Sequence, residues 1–175
     1  RANADAGRPT GFLGDNPLFK TLVSTPISKG GAMFLEKTSM RAAEGQYNLT
    51  EAFGLSKYNA DLLVGASTRQ FILNSQGTLF ADTAGNIKIN ESGAYAQFSK
   101  RFLDDLFKFS FSGRYDKNEN FQGRFTPRAS LVVKLEEDHN LRVSYQTAYR
   151  FPTTQNQWIN LLVGGGTRLM GGLPQ

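Results

Sequence analysis

The sequence predicts an all-β chain, an antiparallel up-and-down transmembrane β-barrel of which these 175 residues supply about six strands with long extracellular loops. Three observations predict it. Apolar and polar side chains alternate over four successive segments between residues 93 and 151, the period of strands with one apolar and one polar face. The connections between the segments are short and long in turn. The polar parity also carries several arginines with serine and glutamine, the composition of a wet inner wall.

Taken in order, residues 1–30 are dense in Gly, Pro, Asn, Asp and Ser around the apolar piece "PLFKTLV" and read as loop with one helical turn. "MRAAEGQYNL" (40–49) reads as a strand, and "LLVGASTRQFIL" (62–73) as a better one, with Leu62, Val64 and Ala66 opposite Arg69. A polar segment fills 74–92. "GAYAQFSKRF" (93–102) sets Ala94, Ala96, Phe98 and Phe102 against Tyr95, Gln97, Ser99 and Arg101. "FKFSFSGRYDK" (107–117) sets Phe107, Phe109, Phe111 and Tyr115 against Lys108, Ser110, Ser112 and Arg114. "FTPRASLVVKLEE" (125–137) sets Phe125, Ala129, Leu131, Val133 and Leu135 against Arg128, Ser130, Lys134 and Glu136. "NLRVSYQTAYRF" (140–151) sets Leu141, Val143, Tyr145, Tyr149 and Phe151 against Arg142, Ser144, Gln146 and Arg150. The expected organisation is a loop-rich lead-in over 1–39 and barrel over 40–175.

The connections run long (74–92), short ("LDDL", 103–106), long (116–126), short ("EEDHN", 136–140) and long again from Pro152. Tight periplasmic turns and extended outer loops have this asymmetry. Phe107 and Leu141 each follow a short turn, and Tyr115 and Tyr149 each lie eight residues further on the same parity. At about 3.3 Å per residue and a tilt near 45°, that places both tyrosines roughly 19 Å up an apolar band about 25 Å tall. Aromatic residues at that level would form a girdle, ring in the lipid boundary and hydroxyl toward water. Lys100, on the outward parity near a short turn, could snorkel. The lipid-facing set is therefore Phe107, Phe109, Phe111, Tyr115, Leu131, Val133, Tyr145, Tyr149 and Phe151, and the lumen-facing set includes Arg114, Arg128, Arg142 and Arg150. The same alternation could instead pack Phe107, Phe109, Phe111 and Leu131 into the core of a soluble β-barrel binding a small apolar ligand. The loop asymmetry, the level tyrosines and the arginine-rich face favour the membrane.

The chain has no cysteine, which removes disulfides, Cys-ligated zinc and thiol nucleophiles, and its net charge of +5 selects no partner by itself. No run of apolar residues is long enough for a membrane helix. Asp116, Asn118 and Asn120 open like a calcium loop, but Phe121 stands where such a loop needs Gly and no Glu closes it. His139, the only histidine, falls in a turn and lacks partners for a zinc site or a triad. "LVGGGTRLMGG" lacks the Gly-Lys-Ser/Thr ending of a phosphate loop and reads as a flexible loop. Asp104–Asp105 and Glu136–Glu137 sit at short turns as solvated carboxylates. Nucleic acid is not expected, because aromatic and basic residues lie on opposite faces. No enzyme, metal or cofactor is therefore expected.

"GAYAQFSKRF", "SGRYDKNENFQGRFTPRASLVVKL", "HNLRVSYQTAYRFPTTQNQW" and "GGLPQ", in that order, resemble a section of the barrel of TonB-dependent outer-membrane receptors, especially the SusC-like group of Bacteroidetes. The resemblance covers about Met40 to Gln175. It implies a 22-stranded barrel with an N-terminal plug in the outer membrane of a Gram-negative bacterium, importing a bulky nutrient (glycan, peptide or chelate) with energy delivered by TonB. A passive porin-type barrel is the alternative. The implied partners are outer-membrane lipid and lipopolysaccharide, TonB through a part of the protein outside this chain, and a SusD-like surface lipoprotein. Neither plug nor TonB box is in the sequence, the chain opens on Arg1 and it ends in "GGLPQ", so it is expected to be a piece of a longer protein. On the resembling strand end, Pro152 would mark where pairing stops, and "PTTQNQW" would leave the membrane as a loop. There Gln155, Asn156, Gln157, Trp158 and Asn160 would suit a sugar or a peptide, and would equally serve loop-to-loop packing.

Overall fold

The computed structural model describes residues 17–135, 139–163 and 166–173. Two compact units account for the chain: Met40–Phe71 with Ile89–Phe151, and Arg1–Ser39 with Ile72–Lys88 and Pro152–Gln175.

The first of these is built on a six-stranded sheet of β1 (Ser39–Asn48), β2 (Ala60–Leu73), β3 (Ile87–Phe102), β4 (Phe107–Asn118), β5 (Arg124–Lys134) and β6 (Asn140–Gln146). The strands lie in sequence order and the sheet stays open, with β1 and β6 at its edges. From β3 to β6 the pairing is antiparallel, and its register gathers one parity of every strand into rows. Phe102, Phe107, Val133 and Leu141 form the first row and Lys100, Phe109, Leu131 and Val143 the second. Phe98, Phe111, Ala129 and Tyr145 form the third, and Ala94, Tyr115 and Phe125 the row at the far end of the band. Among the described residues of this unit nothing covers that face. Phe98, Phe107 and Val133 are half-buried by their neighbours, but the exposed side chains of the face run from 37% at Leu131 to 66% at Tyr145, whereas a soluble sandwich would bury them all at roughly 25 cal/mol per Å².

The aromatic rings of the last row lie across glycines of the neighbouring segment, Gly113 within β4 and Gly123 just ahead of β5. A Cβ on Gly113 would stand 2.6 Å from the Phe125 ring, and one on Gly123 would run into the Tyr115 hydroxyl. Each glycine thus leaves the space that its neighbour's ring fills, an arrangement that pins the register of β4 and β5. At the opposite end of the band, Lys100 Nζ sits 4.9 Å above the Phe102 ring, its stem on the apolar face.

Three strand boundaries differ from the sequence reading by three residues or more. β3 begins at Ile87, inside the segment expected to be loop, because polar side chains hold the extra pairing. Asn118 donates to Glu91 at 2.8 Å, Asn90 donates to Glu119 at 3.0 Å, and Gln70 donates to Asn90 at 2.9 Å. β5 ends at Lys134 instead of 137, and residues 136–138, including Glu136 and Glu137, lie outside the described residues. β6 stops at Gln146, so Tyr149, Arg150 and Phe151 are off the ladder. The cause is Pro127 and not Pro152. Thr147 N–H donates to the Pro127 carbonyl at 3.1 Å, but proline has no N–H to return, and the ladder loses a rung where the expected strand would have continued.

The β3–β4 connection is as tight as its length demands. Leu103, Asp104 and Asp105 all take left-handed φ values (51°, 50° and 68°), which aspartate tolerates better than leucine, and Leu106 N–H closes the turn on the Leu103 carbonyl at 3.0 Å. Arg101 lies 3.7 Å from Asp105 across it.

The second unit holds helix α1 (Pro17–Ser24), longer than the single expected turn, helix α2 (Thr154–Trp158), and the antiparallel pair β7 (Asn160–Leu162) and β8 (Arg168–Met170). Two expectations are corrected here. The amide run is helical because the Thr153 hydroxyl caps it, accepting from Asn156 N–H at 3.2 Å. "LVGGGTRLMGG" is partly a hairpin and not a free loop, its strands paired as Asn160–Met170, Leu161–Leu169 and Leu162–Arg168, with residues 164–165 outside the described residues. Leu73, Leu79 and Phe80 form this unit's small apolar core, and Phe80 bridges to Ile159.

Replacing Gly113 with valine should displace the Phe125 ring and cost about 1–3 kcal/mol, as overpacking does. The midpoint at which the detergent-solubilised protein loses its folded gel mobility on heating should fall accordingly. An unchanged midpoint would show that ring and glycine do not pack as described.

Candidate functional site

On its other face the sheet presents polar side chains in equally regular rows. Gln97, Ser112, Arg128 and Gln146 make one; Ser99, Ser110, Ser130 and Ser144 make the next; Arg101, Lys108, Val132 and Arg142 make the third. The middle row is four serines on four consecutive strands. Parity alone assigns each serine to this face, but only the register brings them level, so the row was not legible from the sequence. Gln97, Ser110, Ser112, Arg128, Ser130 and Arg142 border an open groove that Phe111 also lines.

The arginines on this face differ in their surroundings. Arg114 is fully engaged: its Nε lies 2.9 and 2.8 Å from the two Asp116 oxygens, its second terminal nitrogen reaches Ser67 Oγ at 3.2 Å, and the guanidinium stands 5.8 Å from the Tyr95 ring centre. Tyr95 in turn donates to Gln46 at 3.0 Å and packs against the open Cα of Gly65. This cross-strand lattice ties β1 through β4 together on the polar side. Arg128 and Arg142 meet no carboxylate among the described residues. Near the opposite end of the serine row, Asp61 lies 3.4 Å from Ser99 Oγ.

Of the four arginines expected on this face, Arg114, Arg128 and Arg142 share its parity, and Arg150 lies beyond the end of β6, where parity assigns no face. Among the expected lipid-facing residues, Phe107, Phe109, Phe111, Tyr115, Leu131, Val133 and Tyr145 share the opposite parity. Tyr149 and Phe151 instead pack edge to face at 5.0 Å, with Phe121 stacked on Phe151 at 6.0 Å and the Arg124 guanidinium 5.2 Å from the Tyr149 ring centre. Tyr115 stands level with Phe125, its partner in the register, and Tyr149, expected at the level of Tyr115, leaves it because β6 has already ended. Asp116 and Asn118, which opened the calcium-like spacing, are held by Arg114 and Glu91, and Asn118 Oδ1 accepts from Asn120 N–H at 2.8 Å.

In the other unit, the five residues expected to meet cargo divide. Gln155 and Asn156 are exposed. Gln157 is 1% exposed and donates its side-chain amide to the Pro152 carbonyl at 2.7 Å. Asn160 Oδ1 accepts from Arg168 Nε at 2.5 Å, and Trp158 is half-buried with an indole N–H that has no partner among the described residues. Two of the five therefore hold the loop's own shape. The loop over 74–86 is ordered by Asp82, which is 5% exposed. Its carboxylate accepts from Ser75 N–H and, at 2.7, 3.2 and 2.6 Å, from the Ser75 hydroxyl and the Gln76 and Gly77 N–H groups. Ser75 Oγ accepts from Phe80 N–H at 2.9 Å, and Thr78 Oγ1 accepts from Leu35 N–H at 3.0 Å. Burial pushes the Asp82 carboxyl up, but the donors of Ser75, Gly77 and Gln76 together outweigh it and hold the group below its ordinary range.

The family model described as TonB dependent receptor-like, β-barrel, matches residues 5–173. No curated protein and no solved structure matches the chain.

With a depressed folded-state pKa, the Asp82 contribution is complete above the ordinary aspartate value near 3.9 and is lost as pH falls through the lower folded value. Protection of residues 74–86 from protease or amide exchange should stay level from about pH 8 to pH 5 and fall only in stronger acid. Asp82→Ala should remove that protection at every pH and cost about 1–3 kcal/mol by stranding its donors. Equal protection in the variant would show that the network does not order the loop.

Proposed function

Since the chain belongs to the TonB-dependent receptor β-barrel family, whose members act in transport at the outer membrane, we propose that it forms part of an active importer of a bulky nutrient, driven through TonB and using no covalent chemistry of its own. The observation that carries the reading is the opposition of the two sheet faces. One is an uncovered apolar face edged by Tyr115 and Phe125, and the other a wall of serine, glutamine and arginine. Lipid satisfies the first and water in a lumen the second.

Between the rows led by Phe102 and Ala94, the apolar parity holds one charge, Lys100. Past Tyr115 it turns polar, with Ser92 paired to Lys117 and Gln70 bonded to Asn90. That change of composition supports a boundary between lipid and water at the Tyr115 row, with the long connections beyond it outside the cell. Glycans, peptides and metal chelates all suit a lumen of hydroxyls, amides and guanidiniums. A SusC-like importer would deliver such cargo with a SusD-like lipoprotein at the outer mouth.

A strain lacking this protein should lose growth on a complex nutrient from a panel of oligosaccharides, peptides and chelates. Restoring the gene should recover growth only while TonB is functional, and growth that survives loss of TonB would identify a passive pore. The faces have their own test. Phe109→Arg should cost about 2–4 kcal/mol and impair barrel assembly, while Ser110→Arg should be tolerated. Equal tolerance at both positions, read as heat-shifted gel mobility in outer membranes, would overturn the assignment of faces.

A further inference from the structure

Arg128 and Arg142 are set apart from the other arginines of the β3–β6 polar face. Arg114 is neutralised by Asp116, Arg101 faces Asp105 and Arg124 stands against the Tyr149 ring, whereas these two meet no carboxylate among the described residues and border one groove with Gln97, Ser110, Ser112 and Ser130. Arg142 is level with Val132, four residues along β5 from Arg128, or about 13 Å of strand. The row between them offers Ser130 and Ser144, hydroxyls that donate without adding charge. Lys108, the partner of Val132 in β4, adds a third cation at the Arg142 end. Across the three rows of β3 to β6 no carboxylate intervenes, and Asp61 sits at the far end, by Ser99.

Guanidinium forks match the oxygens of carboxylates and phosphates bidentately. A water-filled cleft with charge of one sign also concentrates the opposite ion. We propose that this groove binds a carboxylate- or phosphate-bearing solute, so that the cargo passing along this wall is anionic, with Arg128 and Arg142 gripping it from the two sides of the serine row. The inference rests on the importer reading, because only in a lumen does the polar face meet cargo.

The test uses the detergent-solubilised protein at low ionic strength, titrated calorimetrically with citrate, with inorganic phosphate and with sucrose as a neutral control. Citrate and phosphate should bind saturably and sucrose should not. The double variant Arg128→Gln/Arg142→Gln should weaken citrate binding at least tenfold, while Lys57→Gln, which removes one charge in the turn between β1 and β2, should leave it unchanged. Heat-shifted gel mobility equal to wild type would show that the double variant is folded. If it is not, Arg128→Lys/Arg142→Lys keeps the charge but loses the fork, and should weaken citrate several-fold. Absence of saturable citrate binding, or equal loss in Lys57→Gln, would overturn the proposal, as would a folded double variant that binds like wild type. If TonB-dependent growth persists alongside such a result, the anion site alone has failed. If the protein proves water-soluble, the importer reading has failed first.

Discussion

Hydrocarbon offers no hydrogen bonds, and every other feature of the sheet follows from that. A strand in lipid must place each N–H and C=O in a ladder, which fixes its side chains in strict alternation, and lipid then allows almost nothing but carbon on one parity. The rows from Phe102 to Tyr115 meet both demands together. Lys100 is the exception that the geometry accommodates, since it stands one row from the tight turn with its amine above Phe102 and a stem long enough to reach the band's edge.

The same constraint explains why proline is informative in β5. Pro127 is tolerated on the Gly113 side, where pairing does not depend on its nitrogen, and it ends the pairing on the β6 side, where a donor is missing. The two aromatic residues beyond, Tyr149 and Phe151, are released from the apolar face by that single rung. Tyr149 and Phe151 then cluster with Phe121 and Arg124 instead of continuing the girdle. Local chain chemistry thus sets the height at which the strand leaves its neighbour.

Much of the sheet was legible in the sequence because period-two alternation needs no partner to be seen. Phe107, Phe109 and Phe111 declare their face within one strand. What alternation does not carry is pairing. The extension of β3 back to Ile87 depends on Asn90, Glu91, Asn118 and Glu119, which sit on two strands and read singly as loop residues. The serine row depends on register, and the end of β6 on a proline twenty residues upstream of Thr147. The loop unit was least legible, since Thr153 as a cap and Asp82 as a hub act through contacts whose partners the local pattern does not reveal. Of the amides expected to face cargo, Gln157 and Asn160 are committed to such internal bonds, and only Gln155 and Asn156 are exposed.

The polar face shows a division of labour that the apolar face cannot have. In lipid every position answers to one solvent, so composition varies little from row to row. In a lumen, a charge is either part of the wall or available to what passes. Arg114 belongs to the wall: with Asp116, Ser67, Tyr95 and Gln46 it spans four strands, and its charge is used up in holding them. Arg128 and Arg142 hold nothing together among the described residues, and replacing either would leave no buried partner stranded. A side chain that contributes no bond to the fold yet sits on its most regular part is left free to meet a solute, as the proposed anion groove requires. On the importer reading, an anionic solute would therefore meet these two arginines rather than Arg114, whose charge Asp116 already answers.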